Sequence, residues 1–180
     1  MFFSWFIFIL VIIIDLAIFF ALLAKFFSLA SRAPYIGTPR ECIPHIVTHL
    51  GLKNGDIFYD LGCGDARVLM ACAKSTPLAK HNGIEYSWYP YLLAKNNLRN
   101  LPVKVVRESF YKTDLSNATH IYTYLMPSVM DDLLPKMTRE LKSGAKVFSL
   151  DFKFKDKKPT TVIDLGPKFS RGRHIYIYEF

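Results

Sequence analysis

The stretch that decides the fold is FYDLGCGDARVLMACA, Phe58–Ala73. It opens as a short apolar run, breaks at Gly62 and Gly64, and resumes with apolar residues at helical spacing. Glycine lets a backbone turn sharply and lets a ligand come close where a Cβ would stand. A helix starting just past such a loop presents free N–H groups and the positive end of its dipole to the same place. Two phosphate-binding patterns that use this geometry are incomplete here. The GxxxxGK[ST] of a P-loop is absent, and Arg67 stands where GxGxxG has its third glycine.

Acids surround the loop. Asp60 precedes Gly62 by two residues, and Glu85 lies 21 residues past Gly64 at the end of the next apolar run. At that distance a carboxylate reaches the hydroxyls of a ribose. An acid-lined loop suits a ligand with a ribose and a cationic end and no pyrophosphate. S-adenosylmethionine has that composition.

Outward from the loop the pattern alternates. IFYDL, HNGIEY, VKVVRES, HIYTYL, AKVFSLDF, TTVIDLG and HIYIYEF read as strands. ARVLMACAKS, WYPYLLAKNNLRN and SVMDDLLPKMTREL read as helices, the last with a kink expected at Pro135. This alternation predicts right-handed βαβ units. The fold class is α/β, a Rossmann-like, seven-stranded, mostly parallel sheet. Its last two strands have no helix between them, so an antiparallel last strand is expected. Ahead of the core, ECIPHIVTHLGL reads as a short amphipathic helix with Pro44 in its first turn.

The N-terminus is of another kind. FFSWFIFILVIIIDLAIFFALLA, Phe2–Ala24, is almost wholly apolar. As a helix it rises about 35 Å, enough to cross a hydrocarbon core of about 30 Å. A secretory signal would carry a basic n-region and a shorter apolar core. Here all 23 Lys and Arg lie at or after Lys25, so a retained, single-pass membrane helix is expected, in contact with lipid. Basic residues follow the span and none precedes it, which places the remaining domain on the cytoplasmic side. That domain holds 14 of the 15 acids and a net charge of +9. The basic residues do not interleave with aromatics in a nucleic-acid-binding pattern, so an anionic membrane surface is the expected partner and nucleic acid is not. The division expected is residues 1–28 as anchor, 29–50 as linker and helix, and 51–180 as the catalytic domain. Asp15 is an acid inside the span, and its expected role is docking against another helix. Cys42, Cys63 and Cys72 form no CxxC pair, and no histidine stands at zinc-ligand spacing.

YDLGCGDARV resembles motif I of the class I, seven-β-strand methyltransferases that use S-adenosylmethionine, and GIEYS resembles their second motif. APYIGTP, RESFYKTDLS, YLMPSVM and RHIYIY extend the likeness over about residues 33 to 180. They resemble the archaeal broad-specificity protein-lysine methyltransferases and their mitochondrial relatives that act on the ATP synthase c-subunit and the adenine nucleotide translocase. The resemblance implies that Asp60, Gly62, Cys63, Gly64 and Asp65 form the cofactor loop and that Glu85 holds the ribose. It implies that Glu108, Ser109 and Phe110 meet the adenine, and that Tyr35 and Thr38 close over the cofactor. Tyr124 and Leu125 would face the methyl group, with Tyr35 and Tyr124 at the chemistry and Tyr111 beside them in an aromatic channel for the acceptor. Three departures stand out. Ala66 replaces a usual glycine, tolerable if its φ is negative; Ser109 replaces Asn or Asp; KFKDKKP stands where relatives carry a tryptophan.

Three functions follow from these readings. The first is a membrane-anchored protein-lysine methyltransferase. The second is a methyltransferase for a lipid head group or small molecule at the membrane. The third is a non-catalytic scaffold of the same fold, against which the intact DLGCG and Glu85 argue. No residue is assigned as a general base.

Overall fold

The structure is a computed structural model that describes residues 2–29 and 36–180. It divides into two compact units, residues 1–34 and 35–180. Tyr35, with Ala33 and Pro34 of APYIGTP, lies outside the described residues.

The first unit is one helix, α1 (Phe2–Leu29). Its stretch Trp5–Leu23 has the length and composition to cross a bilayer, and none of it is buried within the protein. Asp15 is exposed on it.

The second unit is built on one seven-stranded sheet. Its elements are α2 (Ile43–Leu50), β1 (Ile57–Leu61), α3 (Arg67–Ser75), β2 (Lys80–Ile84), α4 (Trp88–Asn97) and β3 (Val103–Val106). There follow β4 (His120–Thr123), α5 (Pro127–Glu140), β5 (Lys146–Leu150), β6 (Thr161–Asp164) and β7 (His174–Glu179). The strand order is β3-β2-β1-β4-β5-β7-β6. The first five strands of that order are parallel, and β7 runs antiparallel between β5 and β6.

Strands β1, β4 and β5 are covered on both faces and are buried almost throughout, as parallel central strands require. Phe58, Leu69, Tyr122, Phe148 and Leu150 meet there in the core. Helix α2 has Pro44 in its first turn, as expected, and ends on Gly51 in the left-handed conformation. Helix α5 continues through Pro135 to Glu140.

The outcome differs from the sequence reading at element ends. Strand β2 stops at Ile84 and β3 at Val106, so Glu85, Glu108 and Ser109 stand in the loops that follow. Helix α3 starts at Arg67, and Ala66 has φ 63°, not the negative value expected. The turn that leaves the glycine loop is left-handed there: the Ala66 N–H donates to the Cys63 carbonyl at 2.8 Å before the first helical bond forms.

The β1–β4 pairing makes the switch point. The chain goes from β1 to β2 on one side and returns to β4 on the other, which leaves a crevice at the carboxyl ends of β1 and β4.

Candidate active site

A narrow cleft occupies that crevice. Its described lining includes Thr38, Asp60, Gly62, Gly64, Asp65 and Tyr124. Cys63, Arg67 and Tyr122 also reach it.

The glycine loop is fixed by the end of β2. The N–H groups of Gly62 and Cys63 both donate to the Ile84 carbonyl, at 2.8 and 3.0 Å. Gly62 has φ 75°, and a Cβ added there would stand 3.0 Å from Leu125 Cδ2. Both facts exclude a larger residue. Glu85 then ties two loops together. One carboxylate oxygen accepts the Gly64 N–H at 3.0 Å and the other the Ser87 N–H at 2.7 Å.

Asp60 is buried at 3 % exposure. Burial, then the Glu85 and Asp65 carboxylates, push its carboxyl up to about 8, against one favourable contact from the Leu69 backbone. A buried acid beside two other acids stands to gain from a ligand with a cationic end. That is the fit expected of a sulfonium amino acid, and it is read from this chain's own electrostatics.

Two residues missed in the sequence close the near side of the cleft. The Arg67 guanidinium binds Asp65 at 2.7 Å and donates to the Thr38 carbonyl at 2.9 Å. It packs so closely on Gly37 that an added Cβ would fall 2.8 Å from its central carbon. Tyr122, fully buried, meets the Thr38 hydroxyl at 2.9 Å. Arg67 and Tyr122 thus pin the segment that carries Thr38 over the cleft. The departure from GxGxxG at Arg67 was the available signal.

The far side is aromatic. Tyr124 stacks on Phe152, ring centroids 5.7 Å apart and 21° between planes. Burial and the nearby Asp151 raise the Tyr124 hydroxyl's pKa, while Arg171 opposes them. Asp151 itself has φ 59°, a left-handed conformation rare for a residue with a side chain. Its carboxylate accepts the Gly172 and His174 N–H groups, and so holds the turn before β7 against the end of β5.

Not every expected residue converges. Glu108, Ser109 and Phe110 follow β3 and are absent from the cleft's described lining; Glu85 and Leu125 stand behind it, against Gly64 and Gly62. Glu108 accepts the Thr113 hydroxyl at 2.9 Å. Tyr111 is 40 % exposed and packs on Phe110.

An acid-lined glycine loop at the switch point of this sheet order defines a class I methyltransferase that uses S-adenosylmethionine. Residues 60–161 match the family described as the ANTKMT methyltransferase domain, and the chain belongs to that family. It is 31 % identical to a protein-lysine N-methyltransferase of Saccharolobus islandicus, over 84 % of this chain and 96 % of that one. It is 28 % identical to the mouse adenine nucleotide translocase lysine N-methyltransferase, over 75 % of this chain but only 60 % of the relative's length. An RNA methyltransferase from Salinibacter ruber, solved with S-adenosyl-L-homocysteine, superposes with a TM-score of 0.73 at 27 % identity. That match covers 80 % of this chain and 93 % of the neighbour.

Proposed function

We propose that the chain is a bilayer-anchored methyltransferase that transfers methyl groups to lysine side chains of proteins. The observation that carries this reading is the juxtaposition, in one cleft, of the acid-lined glycine loop with Tyr124, whose ring Phe152 stacks against from behind the lining. The archaeal and mouse relatives' names support lysine as acceptor. Residues 1–28 serve as the anchor, 29–50 as linker and helix, and 51–180 as the catalytic domain, which faces the cytoplasm.

S-adenosylmethionine supplies an electrophilic methyl group on a sulfonium. Everything else falls to the chain. Asp60, Gly62, Cys63, Gly64 and Asp65 hold the methionine end, and Glu85 takes the ribose hydroxyls. Glu108, Ser109 and Phe110 approach the adenine from the β3 loop. Thr38, fixed by Arg67 and Tyr122, closes the near side together with Tyr35. Leu125 and Tyr124 face the methyl group.

A lysine ammonium, with a pKa near 10.4 in water, must lose its proton before its nitrogen attacks. The ring face of Tyr124 accommodates the cation; desolvation then favours the neutral amine, whose proton passes to the departing water. The rest is alignment of donor and acceptor.

The test is label transfer. The full chain is incubated with radiolabelled cofactor and membranes from its own cell, and protein, lipid and nucleic acid are separated. Methyl-lysine in the protein hydrolysate is the expected result. Label confined to lipid or small molecules would overturn the lysine assignment while leaving the methyltransferase class intact. Asp15→Leu should lower methylation of a membrane target and spare a soluble peptide. Equal activity on both would remove Asp15 from docking.

A further inference from the structure

The carboxyl edge of the sheet carries exposed side chains that methyl transfer does not use. Tyr86, Trp88 and Tyr89 follow β2, Tyr111 follows β3, Met126 follows β4, and Ile36 stands at the mouth of the cleft. They are 40–67 % exposed. Trp88 and Tyr89 meet edge to face at 6.2 Å. Because β2, β3 and β4 run parallel, the loops behind these residues leave the sheet at one edge. Exposed Arg107, Lys112, Lys153 and Arg171 belong to loops of that same edge.

The acids nearest the edge are turned inward. Asp60 and Glu85 are buried. Asp65 pairs with Arg67, Glu108 with the Thr113 hydroxyl, and Asp151 with backbone N–H groups. What faces outward there includes tryptophan, tyrosine and cations, with exposed Asp114 and Asp156 further along the same loops. Amphipathic rings beside Lys and Arg are the chemistry of a membrane–water interface with an anionic leaflet.

Chain connectivity singles out a bilayer as the occupant. Helix α1 ends at Leu29, and the cleft edge begins at Ile36. The residues between them reach at most about 25 Å when fully extended. A bilayer that holds Trp5–Leu23 is thus tethered to the same edge that carries the aromatic and basic residues.

We propose that this edge lies on the headgroup layer of an anionic bilayer, so that the cleft opens onto the membrane surface. The proposal rests on the reading of α1 as a bilayer anchor. It restricts acceptors to groups displayed at headgroup height.

The chain's two tryptophans, Trp5 and Trp88, make the test direct. The full chain is reconstituted in vesicles of phosphatidylcholine and phosphatidylglycerol whose acyl chains are brominated close to the headgroup. Trp88→Phe leaves Trp5 as the reporter of the helix, and Trp5→Phe leaves Trp88 as the reporter of the edge. Calorimetric cofactor binding confirms that each variant is folded. Lipid quenching of both tryptophans is expected. Arg107→Gln with Lys112→Gln should shift the docked-to-free ratio of the edge about 30-fold toward free, from roughly five-fold for each cation, and so restore Trp88 emission. Quenching of Trp5 alone overturns the docking and leaves the anchor standing; quenching of neither overturns both. A Trp88 shielded from water but untouched by brominated lipid shows a protein surface in its place, and overturns the proposal.

Discussion

The two sides of the cleft are built in opposite ways. The β1–β2 side is local: Asp60, Gly62, Gly64 and Glu85 lie within one βαβ unit and are joined by short backbone bonds to Ile84 and Glu85. The β4–β5 side is assembled from afar. Tyr124, Asp151, Phe152 and Arg171 come from three separate segments, and the Cys42 thiol reaches in to the carbonyl of Gly172 at 3.4 Å. The first side has an acid for each ligand feature and little freedom. The second offers ring faces and a turn held by one strained aspartate. The contrast teaches that a fixed cofactor takes rigid backbone, and that a variable acceptor takes side chains set by tertiary contacts.

That division breaks if damage on one side spreads to the other. The largest effect is expected from Gly62→Val. A β-branched residue at φ 75°, with Leu125 at 3.0 Å, carries strain of about 1–3 kcal/mol before the clash is counted. Cofactor binding measured by calorimetry should fall at least 100-fold, with a lower melting temperature. Binding like the parent's would mean that the loop is not the cofactor site.

Asp60→Asn probes the same side through pH. A carboxyl whose folded pKa is raised to about 8 holds a proton that the unfolded chain has released. The parent without cofactor therefore loses stability as pH rises from about 4 to 8. Asn removes that loss. Its advantage over the parent should be absent near pH 4 and should exceed about 1.4 kcal/mol, one pKa unit's worth, at pH 8. Denaturant titrations at both pH values decide it, and an advantage that does not grow with pH would show Asp60 to be ionised and matched by a cation. The same variant should bind S-adenosylmethionine more weakly.

Phe152→Ala sharpens the comparison from the other side. Loss of a stacked ring pair is worth about 0.5–1.5 kcal/mol, or roughly 2- to 12-fold in kcat/KM for a lysine peptide. Cofactor affinity should not change. If it falls as much as kcat/KM, the two sides are one unit.

The smallest effect is expected at Ala66→Gly. Relief of the left-handed alanine gains about 1–2 kcal/mol. Against it stand a buried methyl worth about 0.8 kcal/mol and the extra freedom of glycine in the unfolded chain, about 0.5–1 kcal/mol. Thermal unfolding should move by less than about 0.5 kcal/mol. A larger gain would show that Ala66 is more strained than its φ implies.

The same contrast explains what was legible beforehand. The sheet, its antiparallel last strand and the acid–glycine loop follow from periodicity and from residues close together in the chain; the insertion of β7 between β5 and β6 does not. The sign of φ at Ala66 does not, because it depends on how the loop leaves Gly64. Arg67 against Gly37 joins segments thirty positions apart, and charge alone does not announce such a contact. Tyr122 and Tyr124 share a strand face, yet one is fully buried on Thr38 and the other opens to the cleft. Phe152 and Asp151 stayed invisible because their meaning comes from the turn at Arg171–His174.

The insertion of β7 also sets an order of events during synthesis. Strand β6 is translated before β7, yet β7 is its pairing partner and separates it from β5. A chain whose first 164 residues alone were free to fold would therefore carry the parallel half-sheet beside a strand with nothing to join. The gap closes only when residues 174–179 arrive, and they seal β5 and β6 in one stroke. Completion of the sheet is thus timed by β7, the last of its strands in chain order.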